Sequence, residues 1–372
     1  MHLQDLLPAL RRRLRANAEF QLHDPELEPM RTTGLAHDHV RIKGTGRLLR
    51  IPKQSQLGLD AVTNLHYQAA CFRRAAPSGH TPQIHAVLEP DVDLPMGALL
   101  VDEIVGPVIR LPDQLPLLIN SLAALHALPL PSEQDRPPLK HPADPLADTV
   151  TEVLTQARYL DDANLHPDAL QQIREELATA RSLLNEPQRP PATLISFDTH
   201  PGNFIVQDHS HAYLVDLEKA RYGFPGFDLA HATLYTSTTW DVATYAVLST
   251  DELAGAYRAW LAGVPESLAL ASRGWLVPLR RVMWLWSVTW CAKWRVLSAQ
   301  AEKDDKHRLE STEDWSAGLS HNELVRHVAE RVADYLNPDT ITRVRNDWLG
   351  DNALTGLRQI PLIGSDANPG TL

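Results

Sequence analysis

The chain has too few cysteines for a disulfide-rich protein, and its N-terminal part has too few glycines for a glycine-rich loop. Its two cysteines, Cys71 and Cys291, fall in segments with helical patterning. This excludes a disulfide scaffold and predicts buried free thiols in a reducing cytosol. The segment that predicts a strand hairpin near the N-terminus holds only three glycines, Gly34, Gly44 and Gly46. So few glycines do not predict a dense glycine-rich loop.

Long uninterrupted apolar runs are also absent. The first 20 residues have neither the apolar core nor the small-residue cleavage site of a signal peptide, and they predict a short amphipathic helix. The most apolar later stretch, residues 275–297, contains four basic residues, Arg280, Arg281, Lys293 and Arg295. A membrane-spanning helix would strand these charges in lipid. We therefore predict a cytoplasmic protein that has no membrane partner.

Positive charge is in deficit. The chain has 46 Asp and Glu residues against 35 Lys and Arg residues, which gives a formal net charge of −11 and a pI of about 5.8. This balance argues against nucleic acid as a partner and is compatible with a cationic small substrate. At 372 residues, of which 44% are hydrophobic, the chain is long enough for a bilobal unit, as a monomer or a homodimer.

The order of predicted elements divides the chain into three parts. Residues 1–104 form a small strand-rich lobe with a hairpin in VRIKGTGRLLRIP, a helix from Leu59 to Ala75 and a further strand in GALLVDEIVG. Residues 105–353 form a large, mainly helical lobe that begins with a helix in LPLLINSLAALH. Residues 354–372 predict a loose tail. The predicted fold class is α+β, with a cleft between unequal lobes.

Three acceptor-rich side chains stand at the edges of short apolar runs between residues 194 and 229. Asp198 and Asn203 frame a Pro-Gly turn in FDTHPGN, and Asp216 ends the strand-like run AYLVD, with Glu218 two residues on. Phosphoryl transfer needs metal ions on the phosphates and a carboxylate beside the attacking hydroxyl, and this set offers both. Taken singly, these residues also fit an alternative interpretation as turn and helix-cap residues.

These motifs resemble the catalytic core of the aminoglycoside phosphotransferase and choline kinase superfamily, small-molecule relatives of the protein kinases. The family pattern HGDxHPGN, then IDxE, then G-x-x-x-DLA is met here by FDTHPGN, VDLE and GFPGFDLA. The resemblance implies a protein-kinase-like bilobal fold that transfers the γ-phosphoryl group of ATP, with Mg²⁺, to a hydroxyl of a small molecule. By the same resemblance Asp198 is the catalytic base, Asn203 and Asp216 bind magnesium, Glu218 supports the metal, and Asp228 braces the catalytic loop or caps a helix.

The resemblance extends to the nucleotide side of the cleft. Arg50 stands where the family places a phosphate-contacting Lys or Arg on a strand, and Lys53 is the alternative. Gln68 occupies the helical position of the glutamate that pairs with this cation in the family. Three consecutive residues between the lobes are implied to hold the adenine edge through their backbone: Asp102, Glu103 and Ile104.

Two departures from the family pattern bear on activity. Ser196 and Phe197 stand in place of the usual His-Gly before the catalytic aspartate. Gln68 is neutral, so it gives up the charge-assisted part of a contact with Arg50. An alternative function is therefore a nucleotide-binding pseudokinase with a regulatory role.

The acceptor of the phosphoryl group is expected to bind in the helical lobe. Trp286 and Trp290 lie on one face of a predicted helix, followed by Trp294 at the same spacing. Together with Trp240 and Asp241 they suit an amine-bearing acceptor of the choline, ethanolamine or aminoglycoside kind, held by cation-π contacts and a carboxylate. The alternative is that the tryptophans only pack the lobe together, and that the acceptor is a neutral sugar or a homoserine-like compound.

Overall fold

The computed structural model describes most of the chain. It covers residues 3–16, 24–30, 36–301 and 323–351, together with residues 354 and 356. Gly34 and nearly all of the predicted tail lie outside these described residues. Strands are concentrated before residue 104 and helices after it, so the predicted α+β class is confirmed. The domain boundaries at residues 104 and 353 stay predictions.

A five-stranded antiparallel sheet forms the N-terminal part of the fold. Its strands lie in the order β1-β2-β3-β5-β4. They are β1 (Leu27–Pro29), β2 (His37–Ile42), β3 (Arg47–Pro52), β4 (Ile84–Leu88) and β5 (Ala98–Asp102). Two helices belong to this part, α1 (Leu3–Ala16) and α2 (Ala61–Ala75). The hairpin and the two helices that the sequence predicted are therefore present.

The two faces of the sheet belong to different hydrophobic clusters. Because side chains alternate along a strand, β5 turns Ala98 and Leu100 toward one cluster and Leu99 and Val101 toward the other. The first cluster is completed by apolar residues of α1, among them Leu10. The second contains the buried face of α2 and continues into the helical lobe. The sheet is thus covered on both faces, and its second face is packed where the two lobes meet.

Local chemistry sets the ends of the hairpin and of α2. The turn between β2 and β3 contains Gly44 and Gly46 at φ of 73° and 66°, a left-handed conformation that glycine adopts without steric cost. Asp60 caps the N-terminus of α2 by accepting a hydrogen bond from the backbone of Thr63. The helix therefore begins two residues later than the sequence predicted, at Ala61.

The C-terminal part is mainly helical. Its helices are α3 (Leu115–His126), α4 (Pro145–Gln156), α5 (Pro167–Leu183), α6 (Pro225–Thr233), α7 (Tyr235–Thr238), α8 (Thr250–Gly263), α9 (Glu266–Arg273), α10 (Leu276–Ala301), α11 (Glu323–Tyr335) and α12 (Pro338–Leu349). Four short strands carry the site motifs: β6 (Thr193–Ile195), β7 (Phe204–Gln207), β8 (His211–Leu214) and β9 (Arg221–Gly223). Strand β6 pairs with β9, and β7 pairs with β8, both antiparallel.

Three strands were missed at the level of sequence, namely β1, β4 and β9. They are three to five residues long. Strands β1 and β4 lie at the two edges of the five-stranded sheet, and β9 is the three-residue partner of β6. Such segments have too few residues to display a period, and their partners supply the pairing.

The long helix α10 organises the helical lobe. It packs against α4, α5, α6 and α11, and Trp284 is among the large side chains buried there. The guanidinium of Arg280, also buried, bonds Asp347 and the backbone carbonyl of Thr233. No helix in the described part of the chain is long and apolar enough to cross a membrane. Cys71 and Cys291 are free and buried, as predicted.

Candidate active site

The loop between β6 and β7 carries the residues of the FDTHPGN motif. Its second half, Pro201–Asn203, forms one turn of 3-10 helix, a conformation that the proline favours by fixing its own φ. The side-chain amide of Asn203 donates to the backbone carbonyl of Asp198 at 2.9 Å. The carbonyl of Asn203 accepts from the backbone of Val215 at 3.0 Å, just before Asp216. These bonds bring the three motif residues to one place.

Phe197 shows how the departure from the family's His-Gly pair is accommodated. Its φ is 60°, in the left-handed region that a glycine adopts freely and a bulky residue adopts at a cost. The guanidinium carbon of Arg221 lies over the Phe197 ring, 3.8 Å from the ring centroid. Rings of Phe227 and Trp286 meet it edge-on. Side-chain packing therefore holds a backbone conformation that the family obtains from glycine.

Asp228 braces this loop and is not a helix cap. It is fully buried in the first turn of α6, and its two carboxylate oxygens accept from the backbones of Ser196 and Phe197, each at 2.8 Å. His126 approaches the same carboxylate at 3.1 Å, while its other ring nitrogen accepts from Trp260. Since the indole only donates, His126 donates to Asp228. The sequence left bracing and capping open, and the hydrogen bonds favour bracing.

Asp198 is paired with a lysine that the motif analysis did not single out. The Lys219 ammonium lies 3.0 Å from a carboxylate oxygen of Asp198. Burial alone would raise the pKa of Asp198, but Lys219 and the nearby His200 and His231 outweigh it and lower the pKa. Asp198 is therefore ionised at neutral pH and can accept a hydrogen bond from a hydroxyl.

Asp216 is paired with Arg50 across the cleft. The distance between a terminal nitrogen of the guanidinium and the carboxylate is 2.5 Å. Burial raises the pKa of Asp216, yet the positive charge of Arg50 outweighs it and the net shift is downward. The predicted strand cation and the predicted metal ligand thus meet directly. Lys53, the alternative cation, pairs with Asp38 instead.

Glu218 lies in the interior, two residues beyond Asp216. Neither of its carboxylate oxygens has a hydrogen-bond partner among the described residues. Burial, and then the charge of Asp216, raise the pKa of Glu218 to about 8. His37 stands 3.5 Å away, and these three residues form the one group in the described part of the chain whose atoms could converge on a metal ion.

A cavity of about 710 Å³ joins the catalytic loop to the helical lobe. Arg50, Asp198, Asn203 and Asp216 line it on one side. Residues of α7, of the loop that follows, of α10 and of α11 line it as well. They include Thr236, Ser237, Trp240, Asp241, Trp286 and Trp290. The predicted base, the predicted metal ligands Asn203 and Asp216, and the predicted acceptor residues therefore share one cavity, whereas Glu218 is not among the residues that line it.

The tryptophan stripe divides between the cavity and the core. Trp286 and Trp290 line the cavity, whereas Trp294 is buried in the core with Trp284. Trp290 meets Trp240 edge-on, with ring centroids 5.9 Å apart. The indole of Trp286 is anchored by a hydrogen bond to Glu152. Both predicted uses of the stripe, as a cavity wall and as packing, are therefore present.

Asp241 approaches the catalytic loop closely. A Cβ atom placed on Gly202 would lie 2.9 Å from a carboxylate oxygen of Asp241 and 2.9 Å from the ring of His200. Real Cβ atoms essentially never lie so close to another group, so a larger residue here would displace one of these side chains or the loop itself. The other oxygen of Asp241 accepts from the backbone of Ala243. This geometry brings the carboxylate of Asp241 next to the loop that carries Asp198.

Three predicted nucleotide residues, Asp102, Glu103 and Ile104, are not among the residues that line the cavity. The Asp102 carboxylate accepts from the backbone of Gln83, and the carboxylate of Glu103 accepts from Arg41. Gln68 is likewise outside the lining, and it reaches Arg50 only through His37. Their roles toward a nucleotide stay predictions.

Sequence reasoning missed several residues that line the cavity, among them His37, Lys219, His231, Thr236 and Ser237. His37 lies on β2 and Lys219 directly follows the VDLE motif. Inspection of the predicted hairpin partners of Arg50 and of the motif's flanks would have found these two. Nothing local marks Thr236 and Ser237.

Residues 32–268 match the family model described as the phosphotransferase enzyme family. The chain belongs to that family. A comparison with curated protein sequences found no matching relative. The family match covers the hairpin, the catalytic loop and α6, which are the elements described above. The chain is therefore a small-molecule phosphotransferase that uses a hydroxyl group as acceptor.

Solved structures with this phosphotransferase's fold include choline and ethanolamine kinases and aminoglycoside phosphotransferases. A choline/ethanolamine kinase family protein from Mesorhizobium loti has 18% identity and a TM-score of 0.53, over 88% of this chain and 99% of that chain. Choline kinase from Cryptosporidium parvum has 13% identity and a TM-score of 0.56, over 94% and 99%. The GDP complex of a variant of aminoglycoside 2′-phosphotransferase-IIIa has 16% identity and a TM-score of 0.53, over 88% and 97%. The bilobal kinase-like fold is thereby confirmed, while identities this low leave the substrate open.

Proposed function

We propose that the protein transfers the γ-phosphoryl group of ATP, with Mg²⁺, to a hydroxyl of a small molecule bound in the cavity. The observation that carries this proposal is the convergence of Asp198, Asn203, Asp216 and Arg50 on one cavity wall. Phosphoryl transfer is catalysed mainly by positioning and by charge stabilisation, and this set provides a carboxylate for the acceptor and a cation for the phosphates.

Asp198 accepts the hydrogen bond of the acceptor hydroxyl and takes its proton as the new oxygen–phosphorus bond forms and the bond between the γ-phosphorus and ADP breaks. Its lowered pKa keeps it ionised, and its ion pair with Lys219 fixes where the carboxylate points. The brace from Asp228 to the backbone of Ser196 and Phe197 supports this loop. The departure at Ser196-Phe197 is thus compatible with activity.

The oxygen donors fit a hard cation. The amide nitrogen of Asn203 donates within the loop, which leaves its oxygen for a metal, and Asp216 and Glu218 supply carboxylates. His37 is a poor ligand here because one ring nitrogen faces Arg50 and the other faces Gln68. Bound Mg²⁺ would neutralise charge that develops on the phosphates. Arg50, once it exchanges Asp216 for phosphate oxygens, would do the same from the other lobe.

Nucleotide binding through residues 102–104 belongs to the proposal as well. An aminoglycoside kinase of the same fold was solved as a GDP complex, so the choice between ATP and GTP is a subject for measurement. We also assign the protein to the cytoplasm, an assignment that its two free buried thiols support.

An amine-bearing acceptor is favoured by one part of the cavity wall. Trp240 and Trp290 present indoles, and Asp241 presents a carboxylate beside the catalytic loop. An organic ammonium would find both an aromatic surface and an opposite charge there. Choline and ethanolamine kinases of the same fold make such acceptors a natural starting point.

A hydroxyl-rich neutral acceptor is the second candidate, and a separate observation favours it. Thr236 and Ser237 line the cavity, and neither hydroxyl has a hydrogen-bond partner within the described ranges. A buried hydroxyl without a partner costs roughly 1–3 kcal/mol. Rotation about χ1 would present either oxygen to a hydroxyl of the acceptor, which would recover that cost.

Acceptor-dependent release of ADP tests the proposal. The purified protein is incubated with ATP and Mg²⁺, and choline, ethanolamine and glucosamine are compared with glucose, myo-inositol and homoserine. We expect ADP release that one of these compounds stimulates and that EDTA abolishes. A rate that no acceptor stimulates, in a protein that still binds nucleotide, would favour a regulatory pseudokinase.

A further inference from the structure

A histidine stands between the strand cation and the helix that should anchor it. A terminal nitrogen of Arg50 lies 3.1 Å from Nδ1 of His37, and Nε2 of His37 lies 3.1 Å from Oε1 of Gln68. All three side chains are buried, with relative exposures of 4%, 3% and 1%. The contact between β3 and α2 therefore runs through a third side chain, supplied by β2.

The chemistry of the three groups fixes the direction of both hydrogen bonds. A guanidinium only donates, so Nδ1 of His37 must accept with its lone pair. The remaining ring proton then sits on Nε2 and donates to the amide oxygen of Gln68. In this arrangement the ring of His37 is therefore neutral, with Nε2 also 3.5 Å from a carboxylate oxygen of Glu218.

Sheet register explains why a residue of β2 reaches Arg50. His39 is the direct partner of Arg50 in the β2-β3 ladder, and His37 lies two residues away on the same face. A diagonal neighbour on one face of an antiparallel pair is within reach of a long side chain. The imidazole spans the gap between that face and α2, which Gln68 alone does not bridge.

We propose that His37 is the positioning residue for Arg50, with Gln68 holding the imidazole in place. This inference rests on the proposed function, in which Arg50 contacts the phosphates of the nucleotide. A glutamate in place of His37 would form an ion pair with Arg50 and offset part of the positive charge of the guanidinium. A neutral histidine orients the guanidinium while leaving its full charge for Asp216 and for the phosphates.

Within the described part of the chain, one further hydrogen bond holds the end of Arg50. The same terminal nitrogen donates to Asp216, and the guanidinium lies 5.9 Å from the centroid of the Phe72 ring. Its Nε has no hydrogen-bond partner in the described part of the chain. When a nucleotide and metal engage Asp216, His37 would be the polar contact that remains. Loss of His37 should therefore be felt most in the nucleotide complex.

The test compares nucleotide and acceptor kinetics in His37→Leu and His37→Gln. We expect His37→Leu to weaken ATP binding and raise KM for ATP about ten- to a hundredfold, the worth of a hydrogen bond to a charged group. KM for the acceptor should stay within about twofold. His37→Gln, whose amide oxygen can accept from Arg50, should recover most of the loss. His66→Gln, an exposed position on α2, is the matched control.

Binding of ATP alone, measured by calorimetry, separates this inference from the proposed function. Weaker ATP binding in His37→Leu supports the inference even if no acceptor is ever phosphorylated. Unchanged ATP binding, or an equal rise in both KM values, would overturn it.

Long-range ¹H-¹⁵N spectra of the imidazoles give a second measurement on the unsubstituted protein. We expect the neutral Nε2-H tautomer for His37, and a shift of its Nδ1 signal in Arg50→Leu. A charged ring or the Nδ1-H tautomer would contradict the arrangement, whatever the folding of the His37 variants.

Discussion

The two sides of the cavity differ in which polar groups the protein pairs by itself. On the proposed nucleotide side, Arg50 is bonded to both Asp216 and His37, although its Nε and both carboxylate oxygens of Glu218 have no partner among the described residues. On the proposed acceptor side, Thr236 and Ser237 carry hydroxyls that have no partner among the same residues. The cation is therefore held before any ligand arrives, whereas two neutral hydroxyls are left for a ligand to bond.

This difference has a local cause on the acceptor side. Threonines inside the helices of this protein bond the carbonyl four residues back, as Thr233 and Thr289 do. Leu234 is in an extended conformation between α6 and α7, so the helical register is interrupted just before Thr236 and Ser237. No backbone carbonyl one helical turn earlier is therefore in position to accept a hydrogen bond from either hydroxyl.

The largest loss of activity is expected when Asp216, the partner of Arg50, is replaced. Asp216→Asn removes a metal ligand's charge and the partner of Arg50, and we expect Mg²⁺-dependent turnover to fall at least about 1,000-fold. Turnover is measured across a Mg²⁺ titration. Asp161→Asn, which alters an exposed ion pair with Arg174, is the control. A variant that regains normal turnover at high Mg²⁺ would show that Asp216 only tunes metal affinity.

The junction of the two sides is tested by Gly202→Ala. The new Cβ would meet the carboxylate of Asp241 and the ring of His200 at 2.9 Å each, so these two side chains and the loop that carries Asp198 must rearrange. Since misplacement by about 1 Å can cost a hundredfold, we expect kcat to fall roughly 10- to 100-fold with little change in KM for ATP.

Gly255→Ala is the matched control, because a Cβ there has nothing within 4 Å. Equal activity of the two alanine variants would mean that the side chains of Asp241 and His200 move aside and that Asp198 keeps its place.

The role of the two hydroxyls on the acceptor side is tested by substitutions that remove them at nearly constant side-chain volume. In Thr236→Val combined with Ser237→Ala, we expect KM for a hydroxyl-rich acceptor to rise about 3- to 10-fold per lost hydrogen bond, while KM for ATP stays unchanged. Thr238→Val is the control, because Thr238 is equally buried but does not line the cavity. An effect of the same size in the control, or with choline as acceptor, would assign the loss to packing.

The smallest effect concerns stability and pH on the nucleotide side. Because the pKa of Glu218 is raised in the folded protein, the folded state binds more protons than the unfolded state between the ordinary value and about pH 8. Stability from this group is therefore present at low pH and is lost as pH rises through that range. The slope is at most about 1.4 kcal/mol per pH unit for one group.

Glu218→Gln should remove this contribution to the pH dependence of the free energy of unfolding. Denaturant unfolding of the metal-free protein at pH 6 and pH 8 should show a smaller loss of stability in the variant than in the parent. Identical pH dependence in the two proteins would mean that Glu218 is already ionised at pH 6.

The convergence of Asp198, Asn203 and Asp216 on one cavity could be predicted from the sequence because these residues lie in short motifs, whereas Gln68 and residues 102–104 do not line that cavity. Asp198 and Asn203 are fixed by one turn of chain, and Asp216 is fixed by the end of one strand. Contacts made across the fold were not accessible in this way. The pairing of Lys219 with Asp198 and the bridge from His37 to Gln68 depend on where separate elements meet.

The acceptor side was predicted only in part. A helical period placed Trp286 and Trp290 on one face, and both line the cavity. It could not distinguish them from Trp294, which is buried, because burial depends on the helices packed around α10. Thr236 and Ser237 follow a break in helix geometry at Leu234. No residue type in this segment predicts that break.

The central claim is that Asp198 accepts the proton of the acceptor hydroxyl in a site that already holds the nucleotide. Turnover and nucleotide affinity of Asp198→Asn, measured side by side with the parent protein, test it most directly. We predict that acceptor-stimulated ADP release falls roughly 100- to 10,000-fold, while the Kd for ATP with Mg²⁺ changes by less than about threefold. Undiminished ADP release in Asp198→Asn would contradict the account.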